Sequence, residues 1–135
     1  MATKIFVNLP VKNLDSSIAF FKTLGFSNNP QFTDETAACI VISEDIYAML
    51  LTHSKFREFT GKEISDSSKN AEVIVALSAE SKEKVTETVN NAIKAGGTEP
   101  IEAKDYGFMY QRSFQDLDGH LWEVVWMDPA AINQN

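Results

Sequence analysis

The sequence predicts an α+β fold of paired βαβββ modules, and three observations carry that prediction. An order of strand, helix and three strands is legible in the first half and again in the second. Each helix is closed by glycine, Gly25 in one half and Gly96-Gly97 in the other. The last two strands of each half are separated by a short polar turn, SED at 43–45 and DLDG at 116–119. Letter identity between the halves is slight, so the repeat lies in pattern. An α+β fold with accidental symmetry is the competing reading.

Taken in order, KIFVNLPV gives a strand over about 4–11. A helix is expected over about 14–24, capped by Asp15 or Ser16, with Ile18, Phe21 and Leu24 at helical spacing and Phe20 widening the stripe. Strands are expected at about 29–34, 37–43 and 46–52. The polar segment 53–71 reads as a linker holding one short helix around Ser54–Phe59. The second pass starts with a strand at 72–79 and a helix at 81–95, capped by Ser78 or Ser81 and buried through Val85, Val89, Ala92 and Ile93. Strands at about 98–103, 107–115 and 120–127 complete it. The chain is therefore expected to be one domain over 1–135, with modules at about 4–52 and 72–127.

Composition narrows the function classes. Of the 135 residues 44% are hydrophobic and 23% charged, which suits a packed domain rather than a disordered chain. A formal net charge of −7 disfavours nucleic-acid binding, which requires a basic patch. No apolar run approaches the roughly 20 residues that span a bilayer, and MATKIFVNLP has no signal-peptide character. A soluble, cytoplasmic protein without membrane partners is expected. The lone Cys39, in AACIVIS, reads as a packed thiol. No phosphate-binding glycine loop and no Ser/His/Asp arrangement is recognisable.

The opening VNLPVKNLDSSIAFFKTLGF and the closing FQDLDGHLWEVV, with the repeat, resemble the vicinal oxygen chelate superfamily. That group includes glyoxalase I, bleomycin-resistance proteins, fosfomycin-resistance enzymes and extradiol dioxygenases. The similarity is strongest to an uncharacterised glyoxalase-like branch and covers about residues 4–128. It implies a curved mixed sheet with outer helices and, commonly, a homodimer. In members that use a metal, it also implies four ligands from the first and last strands of the two modules.

Matching those positions leaves little for a metal to bind. Phe6 stands at the first, Ile74 at its counterpart in the second module, and Met49 (or Leu50, with a one-residue slip) at the third. Only Glu123, in LWEVV, offers oxygen lone pairs. No cofactor is therefore expected. Side-chain alternation puts Phe6, Asn8 and Pro10 on one face, and Glu72, Ile74, Ala76 and Ser78 with Leu121, Glu123 and Val125 on another. An oxygen set of Glu72, Glu123 and Asn8 is the alternative for a hard cation. His120 is expected to pack locally, and His53 lies too far along its strand to replace Met49.

Glu123 is a carboxylate within an apolar run, and such a group needs a partner. Arg112, on the neighbouring strand, is the candidate for a structural pair, with its face left open by uncertain register. Tyr110, Arg112 and Phe114 share a face and would supply aromatic and cationic walls. The residues expected to touch a small-molecule ligand are thus Phe6, Asn8, Met49, Glu72, Ile74, Tyr110, Arg112 and Glu123. A metal-independent binding protein, sequestering or sensing a polar or cationic molecule, is expected. The alternative is a metal-dependent lyase, isomerase or dioxygenase with an atypical site around Glu123.

Overall fold

The computed structural model describes residues 2–132. They divide into two compact units between Asp66 and Ser67, inside the expected linker. The first unit contains β1 (Ile5–Val11), α1 (Leu14–Thr23), β2 (Ser27–Asn29), β3 (Ala37–Val41), β4 (Ile46–Thr52) and α2 (His53–Thr60). The second contains β5 (Ile74–Ser78), α3 (Lys82–Lys94), β6 (Lys104–Asp105), β7 (Met109–Gln115), β8 (Leu121–Met127) and α4 (Pro129–Ile132). Each unit folds a four-stranded mixed sheet, ordered β1-β4-β3-β2 in one and β5-β8-β7-β6 in the other. In both, the first strand runs parallel to the last and the remaining pairings are antiparallel. The α+β fold of paired βαβββ modules is present.

The helix ends repeat at the level of single hydrogen bonds. After α1, Gly25 N–H donates to the Lys22 carbonyl at 3.0 Å and Phe26 N–H to that of Phe21 at 3.2 Å. After α3, Gly96 N–H donates to Ile93 at 3.1 Å and Gly97 N–H to Ala92 at 2.9 Å. This paired termination needs a left-handed residue, and Gly25 and Gly96 supply it at φ 101° and 108°. At the other ends, Ser81 Oγ accepts from Lys84 N–H, as expected, whereas α1 is capped by Asn13, not by Asp15 or Ser16. Asn13 has extended backbone and a side chain short enough to reach Ser16 N–H at 3.0 Å.

Packing settles which faces are core. In the first unit α1 lies on β3 and β4, burying Phe20, Phe21 and Leu24 against Ala38, Ile40, Ala48 and Leu50. Ile18 is only half-buried, and Leu14 and Ser17 take the inward positions instead. In the second unit α3 covers β7 and β8 through Val85, Val89 and Ala92, over Phe114, Trp122 and Val124. Each fully buried side chain of this size contributes about 1.5–3 kcal/mol. Ile93, expected inside, is 42% exposed, and Thr88 is buried in its place. The Thr88 hydroxyl is satisfied by the Lys84 carbonyl at 2.8 Å, which makes the burial tolerable.

Two expected strands are truncated for the same reason. The strand at 29–34 stops at Asn29, because Pro30 has no N–H to give the ladder and opens a 3-10 turn over Pro30–Phe32. Asp34 then draws in the N–H groups of Thr36 and Ala37, which holds its carboxyl below the ordinary range. The strand at 98–103 reduces to one bridge, Thr98 to Gln115, before Pro100 interrupts it. Cys39 is buried as expected, and burial pushes its thiol pKa up.

The turn between β7 and β8 is held by one buried carboxylate. Asp116 Oδ1 accepts from the N–H groups of Asp118 and His120, and Oδ2 accepts from the Trp122 indole, all at 3.0 Å. Burial pushes the Asp116 carboxyl up, opposed by His120, the indole and those backbone groups. At Gly119, with φ 84°, an added Cβ would lie 2.7 Å from the Ser67 carbonyl oxygen. Asp116→Ala is therefore expected to lower stability by about 2–3 kcal/mol, leaving a buried indole N–H unpaired. Gly119→Ala is expected to lose at least about 1–2 kcal/mol from backbone strain alone. Urea denaturation measures both, with the control Leu117→Ala, at a 42% exposed site, expected to change far less.

Candidate functional site

The hairpin register decides what surrounds Glu123. Counting back from the turn, Gln115 pairs with Leu121, Phe114 with Trp122, Ser113 with Glu123, Arg112 with Val124 and Gln111 with Val125. Across the parallel pairing, Ile74 faces Leu121, Ala76 faces Glu123 and Ser78 faces Val125. Opposed residues share a face, so Glu123 stands with Ile74, Ala76, Ser78, Gln111, Ser113 and Val125. Trp122, Val124, Phe114 and Arg112 point to the α3 side.

Glu123 does not meet Arg112. Its partner is Gln111, whose Nε2 donates to Glu123 Oε2 at 3.0 Å. Arg112 instead forms a forked pair with Glu99, Nε to Oε2 at 2.8 Å and Nη2 to Oε1 at 2.7 Å, and Nη1 donates to Asn90 at 3.0 Å. The Arg112 guanidinium holds the Glu99 carboxyl below its ordinary range, against the opposing effect of burial. Arg112 is in turn raised by Glu99. The physical reason is parity: Arg112 lies one residue from Ser113, so it leaves the sheet on the opposite side from Glu123.

The expected ligand-binding residues thus separate into groups. Tyr110 and Arg112 border an open cleft of about 410 Å³ with the 99–103 segment, on the α3 side of the second unit's sheet. Ile74 and Glu123 share the other side, where Ile74 is 52% exposed and Glu123 half-buried. Glu72 precedes β5, in an exposed bend rather than on the strand. In the first unit, Phe6 pairs with Tyr47, and Asn8 with Met49, so Phe6, Asn8 and Met49 share one face. Met49 is the residue on that face; Leu50 points into the core and is fully buried. Phe6 is 51% exposed and stacked on Tyr47, with ring centroids 4.8 Å apart.

Two groups on the Glu123 face escaped the sequence reading. Gln111 was overlooked because a neutral amide gives no charge signal beside Arg112. Ser113 is buried, and its hydroxyl has no hydrogen-bond partner among the described residues. Such a group costs about 1–3 kcal/mol. Both would have emerged from counting the ladder outward from the five-residue connection at 116–120.

A divalent ion does not fit these residues. At Phe6, Met49, Ile74 and Glu123, the four positions that the sequence resemblance singled out, stand a phenyl ring, a thioether, a branched alkyl chain and one carboxylate. Among the described residues no group of three or more His, Cys, Asp and Glu is arranged to hold a metal ion. His120 lies in the turn, its N–H on Asp116. His53 opens α2. Among the described residues no helix is long and apolar enough to cross a membrane.

Comparison with known proteins adds the family context. The bleomycin resistance protein-like N-terminal family matches residues 3–43, within the first unit. A hypothetical protein from S. aureus is 29% identical, covering 93% of this chain and 95% of its own, with a TM-score of 0.77. A glyoxalase/bleomycin resistance protein/dioxygenase family enzyme from Burkholderia phytofirmans PsJN has 17% identity, coverage of 93% and 99%, and a TM-score of 0.78. A glyoxalase-related enzyme from Fulvimarina pelagi has 17% identity, coverage of 93% and 88%, and a TM-score of 0.76. No curated protein matches the sequence.

The ion pair on the α3 side makes a prediction separate from any ligand. Arg112→Met is expected to lower stability by about 2 kcal/mol, since it strands a partly buried Glu99. The folded Glu99 pKa lies below the unfolded value, so the pair's contribution is complete above the ordinary value of 4.5. It is lost as the pH falls through the folded pKa. Urea unfolding at stepped pH should show the Arg112→Met deficit shrinking on the acid side.

Proposed function

We propose that this chain, which has the glyoxalase/bleomycin-resistance fold of the vicinal oxygen chelate superfamily, is a metal-independent small-molecule-binding protein. It sequesters or senses a polar or cationic ligand, and Glu123 anchors it. The observation that carries this reading is the pairing of Glu123 with a neutral amide. Gln111 donates to the carboxylate without cancelling its charge, so one negative charge is held on an open sheet face that otherwise carries only neutral side chains. A charge-assisted contact in such surroundings is stronger than in water.

Further support comes from Phe6, Asn8 and Met49, which give the first unit an exposed face with an aromatic platform and one amide. Ligand sites of this kind combine apolar walls with a few fixed polar groups. Tyr110 and Arg112 belong to a separate surface, and Arg112 there serves structure through Glu99. The acidic balance, net −7, favours encounter with cations and disfavours nucleic acid. A cytoplasmic homodimer is the form in which we expect the protein to act.

The second reading is a metal-dependent lyase, isomerase or dioxygenase with an atypical site around Glu123. Its support is that relatives in fold are described as enzymes. Phe6, Met49 and Ile74 weigh against it, because none offers a lone pair that Zn, Mg, Mn or Fe(II) would accept in the usual geometry.

Two outcomes test the proposal. In a thermal-shift screen of small polar and cationic metabolites, Glu123→Gln should weaken any hit at least about tenfold with little change in the unliganded Tm. An affected Tm with unaffected affinity would make Glu123 a structural residue only. No hemithioacetal isomerisation of the glyoxalase I type is expected with added Ni or Zn; turnover dependent on either would refute the metal-independent reading.

A further inference from the structure

We infer that the Glu123 face selects a cation bearing several N–H donors, a primary ammonium or a guanidinium, and that Gln111 is the residue that sets this preference. The inference rests on the proposal that Glu123 anchors the ligand, and it adds the chemical class of the group recognised. Glu123 Oε2 is occupied by the Gln111 amide at 3.0 Å. That bond fixes the amide orientation, since turning the Gln111 oxygen toward the carboxylate would set two acceptors against each other. Gln111 Oε1 therefore points away from the carboxylate, and it takes no hydrogen bond among the described residues. Glu123 Oε1 is unoccupied in the same sense. The pair leaves two acceptors and one net negative charge on this face, the complement of an ion that carries two or more N–H groups.

Three features of the same face sharpen the class. No Lys, Arg or His stands among its strand residues Ile74, Ala76, Ser78, Gln111, Ser113 and Val125, and Glu123 enters no ion pair among the described residues. No aromatic ring stands there either, so the cation–π cage that holds quaternary ammonium groups is missing from this sheet face. Ser113, directly across the ladder from Glu123, keeps a buried hydroxyl without a partner. On the β5 side the face is open, with Ala76 and Ser78 exposed and Ile74 52% exposed, so a ligand has access.

The test titrates the full-length protein with n-butylammonium, n-butylguanidinium and tetramethylammonium, followed by side-chain amide NMR signals of Gln111. The first two are expected to shift those signals with dissociation constants of about 1–50 mM, and tetramethylammonium to bind at least about fivefold more weakly. Gln111→Leu should weaken the N–H cations about five- to tenfold while bringing tetramethylammonium level with them; here the Ala76 and Val125 backbone amides report binding. Gln111→Glu, as a second variant, should keep the preference and tighten it. Equal affinity for tetramethylammonium in the natural sequence, an unchanged Gln111→Leu variant, or no binding of the N–H cations below about 50 mM would each overturn the inference. Loss of all three cations in Glu123→Gln together with equal affinities before it would leave the anchoring role standing and remove only the donor selectivity. Cation binding that survives Glu123→Gln would remove both.

Discussion

The hydrogen bond from the Trp122 indole to Asp116 is the constraint on which the second unit depends. The indole is fully buried, and the carboxylate that receives it also closes the turn at both Asp118 and His120. One residue thereby fixes the loop length, the indole position and the β7–β8 register. Because side chains alternate along a strand, a slip of one residue would carry Trp122 to the open face and Glu123 into the core. Neither position tolerates the other's occupant: a buried carboxylate and an exposed indole are both costly. The placement of Glu123 on an accessible face is thus a consequence of how tightly Trp122 is held.

The same logic explains why two units so different in sequence share one plan. A helix must bury its apolar stripe on one side of its sheet, and in both units that side is complete: Phe20 and Phe21 in one, Val85, Val89 and Ala92 in the other. The opposite side is left for other uses. In the first unit it carries the Phe6–Tyr47 stack, Asn8 and Met49; in the second, Glu123, Gln111 and Ser113. These sides are apolar or amide-rich, with a single charge.

Much of the fold was legible because it follows from spacing and punctuation. The two helices, their glycine stops and the SED and DLDG turns all rest on periodicity or on φ requirements that only a few residues meet. The truncated strands were misjudged because Pro30 and Pro100 remove ladder donors where β-prone letters surround them. Ile93 lay at the edge of its stripe, and apolar character alone did not reveal that Thr88 would turn inward with its hydroxyl satisfied. On the sheets, the shared face of Ile74 with Glu123 and of Phe6 with Met49 was readable. The partner of Glu123 was not, because charge drew attention to Arg112, whose own partner, Glu99, lies outside the hairpin and depends on tertiary packing.

We read the charge on Glu123 as kept for a ligand rather than for a resident metal ion. Metal content per chain, measured on tag-free protein purified without chelators, tests it most directly. Less than about a tenth of an equivalent of any divalent ion is the expected result, since one carboxylate and a neutral amide do not retain such an ion through purification. Close to one equivalent of a single divalent ion would contradict the account, and Glu123 would be the first ligand to seek.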